Sequence, residues 1–108
     1  DDSIVRGTTS KRIVQLIRQA GAKEVHVRIS SPMVKNPCFY GVDMPTKEEL
    51  FANKHEQEQA MGKVIGADSL AFLSTEGLLE AVDVDLAETS SRCIACFSGA
   101  YPTKLYLK

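Results

Sequence analysis

The stretch Asp1-Asp2-Ser3-Ile4-Val5-Arg6-Gly7-Thr8-Thr9-Ser10 sets the reading of this chain. Two adjacent carboxylates precede a glycine turn and three consecutive hydroxyl residues, and an apolar helical pattern follows at once. Carboxylates accept hydrogen bonds from sugar hydroxyls and bind magnesium. A glycine turn that opens a helix presents unpaired N–H groups, and the positive end of the helix dipole favours a phosphate there. An Asp-Asp pair alone suits two solvated side chains equally well. The whole pattern, in register before a helix, points to a bound sugar phosphate.

Outward from that stretch, Ile13, Leu16, Ile17 and Ala20 recur at helical spacing. They predict a helix from near Ser10 with that face inward, and Lys11, Arg12, Gln15, Arg18 and Gln19 in water. Gly21 is its stop signal. Val25, Val27 and Ile29 then alternate with His26 and Arg28, which predicts a strand with one buried face. Helix, short turn and β-branched strand are the rhythm of a parallel α/β sheet. The strand should end at Ser30-Ser31-Pro32, with a loop through Pro37 and Gly41. Thr46-Lys47-Glu48-Glu49 reads as a capping box for a helix carrying Leu50 and Phe51. Asn53 with Glu56 offers a second cap, for a helix ending near Gly66 with Met61, Val64 and Ile65 in the core. Ser69 to Leu73 reads as strand or extended loop. Ser74 should cap a further helix with Leu78, Leu79 and Val82 inward. Residues 83–91 are polar and read as a connector. His26, Arg28, Lys47, Lys54 and Lys63, and the run Glu56-Gln57-Glu58-Gln59, are taken as surface groups.

The chain has 108 residues, enough for one small domain. It carries 44% hydrophobic residues and a formal net charge of -1. That balance gives no electrostatic case for nucleic acid or an anionic membrane as partner. No apolar run is long enough to span a bilayer. The first residue is Asp rather than Met, so the chain is expected to be part of a longer protein. A sheet lacking strands exposes backbone and apolar surface, which predicts pairing between copies. Cys38, Cys93 and Cys96 are an odd number with no export signal, which argues against a disulfide framework. Cys93 and Cys96 have metal-ligand spacing, but a closed site needs four ligands. Idle thiols, a cluster, and zinc completed by His26 or His55 all fit the residues.

The opening pattern, Asp-Asp-x-x-x-x-Gly-x-Thr, resembles the phosphoribosyl pyrophosphate (PRPP) motif of type I phosphoribosyltransferases. The version Ser3-Ile4-Val5-Arg6-Gly7-Thr8-Thr9 is similar to that of the glutamine PRPP amidotransferases. The segments 27–32, 36–43, 65–74 and 93–102 also resemble that family, and the likeness is weakest over 83–92. The resemblance implies an α/β fold: part of a type I phosphoribosyltransferase fold, a Rossmann-like parallel sheet, with C-terminal helices. Residues 1–82 would be the C-terminal part of that domain, and 83–108 a connector and cysteine-containing tail.

The resemblance also implies a reaction, the conversion of glutamine, PRPP and water to 5-phosphoribosylamine, pyrophosphate and glutamate. This is the first committed step of purine synthesis. Asp1, Asp2, Ser3, Arg6, Gly7, Thr8 and Thr9 would bind PRPP, with Asp1 and Asp2 also fixing magnesium. Cys38, Cys93 and Cys96 would ligate a 4Fe–4S cluster whose fourth cysteine lies upstream. The glutaminase nucleophile would lie outside these residues, so the isolated piece is expected to be inactive. A cytoplasmic homo-oligomer inhibited by purine nucleotides completes the expectation. Another type I phosphoribosyltransferase would share the opening motif without explaining the cysteines. A non-catalytic nucleotide-binding regulatory module would use the same loop, and a zinc-stabilised interaction domain is a third alternative.

Overall fold

The computed structural model describes residues 1–55, 57–82 and 92–105. Helix α1 spans Thr8–Gln19 and strand β1 spans His26–Ile29. A 3-10 turn at Lys47–Glu49 leads into the short helix α2, Phe51–Lys54. Helix α3, Glu58–Ile65, is followed by strand β2, Ser69–Phe72. Helices α4, Thr75–Ala81, and α5, Ala95–Ser98, complete the described elements. The connector reading for 83–91, the capping role of Glu56 and the last three residues fall outside the described residues.

The strands form a two-stranded parallel sheet with His26 opposite Ser69 and Ile29 opposite Phe72. Parallel strands need a crossover, and here it runs through α2 and α3. Alternation along β1 sorts the side chains as its sequence predicts. Ile29 is buried, Val27 is half-buried, and His26 and Arg28 are exposed. The core is Ile4, Ile29, Phe51, Ala52, Met61, Ile65 and Leu70, drawn from the opening loop, both strands, α2 and α3. Leu50, Met61 and Ile65 are the largest fully buried side chains. Each contributes roughly 1.5–3 kcal/mol through burial.

Successive backbone groups of β1 point to opposite edges of the strand. The carbonyls of Val25 and Ile29 accept from Asp68 and Leu73 on the β2 side, at 2.8 and 3.0 Å. On the other edge, Asp1 N donates to the Arg28 carbonyl at 2.9 Å, and Ser30 N donates to the Asp1 carbonyl at 2.9 Å. Asp1 therefore pairs with Ile29 in the parallel manner and places the acidic pair at the carboxyl end of β1.

Several local expectations are corrected. Helix α1 begins at Thr8 rather than near Ser10, and it is rotated from the orientation its apolar spacing suggests. Val14 and Ser10 are buried, whereas Ile13, Leu16 and Ile17 are 41%, 48% and 43% exposed. Contact with α3 and its terminal Gly66 selects the Val14 side, and Ile13 and Ile17 are left lining an open groove beside β1.

The capping box at Thr46 does not form, and Thr46 makes no side-chain cap bond. Leu50 turns extended (φ -66°, ψ 127°) to bury its side chain, so the segment splits into a 3-10 turn and α2. Asn53 caps nothing either. Its amide donates to the carbonyls of Lys35 and Lys47 at 2.7 and 2.9 Å, and α3 starts later, after Gln57. Val64 and Val82 are 39% and 46% exposed and lie outside the core. Other signals hold. Gly21 and Gly66 follow their helices with positive φ, Ser69–Phe72 is a strand, and Ser74 Oγ accepts from Gly77 N at 3.0 Å as the cap of α4.

Candidate functional site

Residues 1–10 and Ile13 line a cleft of about 400 Å³ at the N-terminal end of α1. Its walls are held from several directions. Ile4 is buried in the core, and the Asp1 backbone is bonded to β1. The Val5 carbonyl accepts from Phe51 N at 2.8 Å. Gly7 then turns the chain with φ 85°, a left-handed conformation that side-chain-bearing residues adopt only at a cost.

The first turn of α1 presents N–H groups that have no partner within the helix, and no side chain caps them. The helical ladder starts with Lys11 N donating to the Gly7 carbonyl at 3.0 Å. Asp1 and Asp2 are both exposed, and Asp1 Oδ1 accepts from Asp2 N at 2.8 Å. Arg6 is exposed in the same cleft, with Nε 4.0 Å from Glu49 Oε2. The structure thus brings Asp1, Asp2, Ser3, Arg6, Gly7, Thr8 and Thr9 around one cavity. Hydrogen-bond acceptors for hydroxyls share it with a cationic side chain and an uncapped helix terminus. Carboxylate oxygens are the hard donors that magnesium takes, so the acidic pair fits that ion by its chemistry.

The cysteines lie in a second region, built from two distant segments. Lys35 N and Asn36 N both donate to the Cys96 carbonyl at 3.0 Å, and the Tyr101 hydroxyl donates to the Pro37 carbonyl at 2.7 Å. Tyr101 packs against Phe39 and Tyr40 with ring centroids 5.1 and 6.2 Å away. The Cys38 thiol is held below its ordinary pKa, first by Tyr40 N–H at 3.3 Å and then by the N–H groups of Val42 and Gly41. Cys96 is pushed up, first by burial and also by negative charge on Cys93 and Cys38. Cys38 and Cys96 thus lie on two segments joined by backbone bonds.

Among the described residues, no three His, Cys, Asp or Glu side chains are gathered closely enough to hold a metal ion. Both histidines are engaged elsewhere, His26 with Ser69 at 2.7 Å and His55 against the Phe51 ring. Thiolates remain the right donors for an iron–sulfur cluster, and the N–H groups around Cys38 favour its thiolate.

Sequence reasoning missed Phe51 and Glu49. Both contact the loop from more than forty positions away in the chain, and the capping-box pattern had assigned them to a helix.

No family model matches the chain. Curated relatives do. Amidophosphoribosyltransferase from Bacillus subtilis is 55% identical over 107 residues, covering 98% of this chain and 22% of the relative. The Methanocaldococcus jannaschii enzyme is 52% identical over 105 residues, covering 97% and 21%. A solved structure of glutamine PRPP amidotransferase from B. subtilis, complexed with ADP and GMP, matches with a TM-score of 0.87. It is 55% identical, and the match covers 98% of this chain and 23% of that one. Over 97–98% of its length the chain is similar to a stretch of the amidophosphoribosyltransferases. It spans about a fifth of the length of the curated relatives it matches. A second solved structure, described as the allosteric regulatory enzyme of purine biosynthesis, matches with a TM-score of 0.85 at 54% identity. The match covers 98% of this chain and 23% of that one, and the two share this mixed α/β architecture. No helix among the described residues is long and apolar enough to cross a membrane.

Proposed function

We propose that this chain supplies the PRPP-binding loop of an amidophosphoribosyltransferase. The whole protein would convert glutamine, PRPP and water to 5-phosphoribosylamine, pyrophosphate and glutamate, opening purine synthesis. The observation that carries this reading is the single cleft in which the acidic pair and the uncapped first turn of α1 meet.

Phosphoribosyl transfer asks a protein mainly for positioning and charge stabilisation. Pyrophosphate leaves C1 of the ribose through a transition state with positive character at that carbon. Asp1 and Asp2 would accept hydrogen bonds from the ribose 2- and 3-hydroxyls, fix the ring, and place negative charge near C1. Gly7, Thr8 and Thr9 would donate N–H and hydroxyl groups to the 5-phosphate, and α1 adds its positive end. Arg6 would exchange its long contact with Glu49 for a phosphate oxygen, and Ser3 lies in the same cleft. Asp1 and Asp2 would also hold magnesium, which neutralises charge on the departing pyrophosphate.

Cys38, Cys93 and Cys96 would hold a 4Fe–4S cluster, joining the 35–40 and 93–101 segments. Purine nucleotides would inhibit by placing their own phosphate on the α1 terminus. The intact protein is taken to be a cytoplasmic homo-oligomer. The two cysteine-bearing segments favour this reading over another type I phosphoribosyltransferase, which has no use for them.

The test is glutamine-dependent pyrophosphate release from PRPP by the full-length protein, beside the Asp1→Asn/Asp2→Asn variant. Activity that the double substitution abolishes is the expected result. A folded full-length protein that releases none would reduce the cleft to a nucleotide-binding regulatory site.

A further inference from the structure

We infer that Phe51 is a positioning residue for the phosphate loop, an inference that rests on the reading of residues 1–10 as that loop. Phe51 does not line the cleft. It holds the turn from behind at two points, one on each side of Arg6. Its backbone N–H is the first of α2 and has no partner in that helix. It donates instead to the Val5 carbonyl at 2.8 Å. Its ring lies against the α-carbon of Gly7, so closely that a β-carbon added there would sit 2.8 Å from Phe51 Cδ2.

The ring is itself confined. It is 4% exposed, belongs to the core cluster, and meets the His55 ring edge-on at 5.0 Å on a different contact from Gly7. The preceding Leu50 is fully buried in an extended conformation, which aims the Phe51 N–H at the loop. Glycine at position 7 is thus required twice, by its φ of 85° and by the lack of room for a side chain beside the ring. The first-turn N–H groups of α1 begin one residue later. Their direction is set by the turn, and the turn is set by Phe51. A phosphate bound by several N–H donors needs them fixed to within a fraction of an ångström.

The test uses the full-length protein and ribose 5-phosphate as the probe, with the dissociation constant read by calorimetry and pyrophosphate release from PRPP measured in parallel. Phe51→Leu keeps an apolar side chain but loses the flat ring, and is expected to weaken ribose 5-phosphate binding about tenfold. KM for PRPP should rise with it, while kcat at saturation changes little. Phe51→Tyr retains the ring and should recover binding close to wild type. His55→Ala removes the ring's neighbour without opening the core, and is expected to weaken binding about threefold. It also serves where Phe51→Leu does not fold.

Leu79→Ala, a buried substitution in α4, is the control and should leave the constant unchanged. Wild-type affinity in Phe51→Leu and His55→Ala would overturn the inference. An equal loss in Leu79→Ala would also overturn it, because the effect would then be general destabilisation. The two readings separate cleanly. A protein that binds the probe in the expected order but releases no pyrophosphate keeps the inference and loses the enzymatic reading. One that turns over PRPP with unchanged Phe51 variants does the reverse.

Discussion

The cleft at residues 1–10 and the cysteine region at 35–40 and 93–101 are assembled in opposite ways. The cleft is made from ten consecutive residues with Ile13 and secured by the core beneath it. Ile4 is buried, Asp1 bonds to β1, and the 3-10 turn with α2 braces Val5 and Gly7. The cysteine region joins segments some sixty positions apart through two backbone bonds to Cys96, one hydroxyl bond from Tyr101 and a cluster of aromatic rings. A local site needs only its own turn to be held. A site drawn from distant segments has to hold the segments first. The contrast gives each region its own expected response to mutation.

The largest expected effect is on the chemistry of the first region. Asp1→Asn/Asp2→Asn should lower kcat/KM for PRPP by about a hundredfold or more while leaving the iron content of the full-length protein unchanged. Loss of iron in that variant would break the separation between the two regions.

Gly7→Ala comes next. A left-handed φ and the Phe51 ring both oppose a β-carbon, so roughly 2 kcal/mol of local stability should go. Hydrogen exchange of the α1 amides reads it. Unchanged protection would mean that the ring and turn adjust freely and that the brace is loose.

Tyr101→Phe removes the hydroxyl bond to the Pro37 carbonyl, worth about 1 kcal/mol, and should speed exchange across 35–40 without changing ribose 5-phosphate affinity. A drop in that affinity would show that the second region supports the first.

The smallest effect belongs to neither region and calibrates both. The Asp68 carboxyl is held below its usual range, first by Val25 N–H at 2.7 Å and then by the Arg18 guanidinium at 2.8 Å. A lowered folded pKa contributes stability above the unfolded value of about 3.9, and that contribution is lost as pH falls through the folded value. Amide protection at Val25 should therefore be constant near neutral pH and decline below about pH 4, while Asp68→Asn shows no such decline. Both partners are well exposed, so the change is small.

These two regions were unequally legible in the sequence for the same reason that they differ in build. The acidic pair, the glycine turn and the hydroxyl run stand side by side, so their shared cleft follows from one glycine turn and one helix. The alternation of β1, the stops at Gly21 and Gly66 and the Ser74 cap are also local, and all are present in the structure. What failed was decided at long range. The apolar face of α1 follows from spacing alone, but packing against α3 chose Val14, left Ile13 and Ile17 beside an open groove and left Leu16 exposed. The Thr46 capping box lost to the burial of Leu50 and to the bond between Phe51 and Val5. Asn53 found carbonyls on two other segments. Phe51 could not be seen as part of the site because no periodicity links it to Gly7.

The most direct measurement is the structure of the full-length protein with PRPP and magnesium bound. The account predicts the 5-phosphate within hydrogen-bonding distance of the N–H groups of Gly7, Thr8 and Thr9, with the ribose hydroxyls on Asp1 and Asp2. A 5-phosphate seated away from the α1 terminus, with the acidic pair still facing solvent, would contradict it.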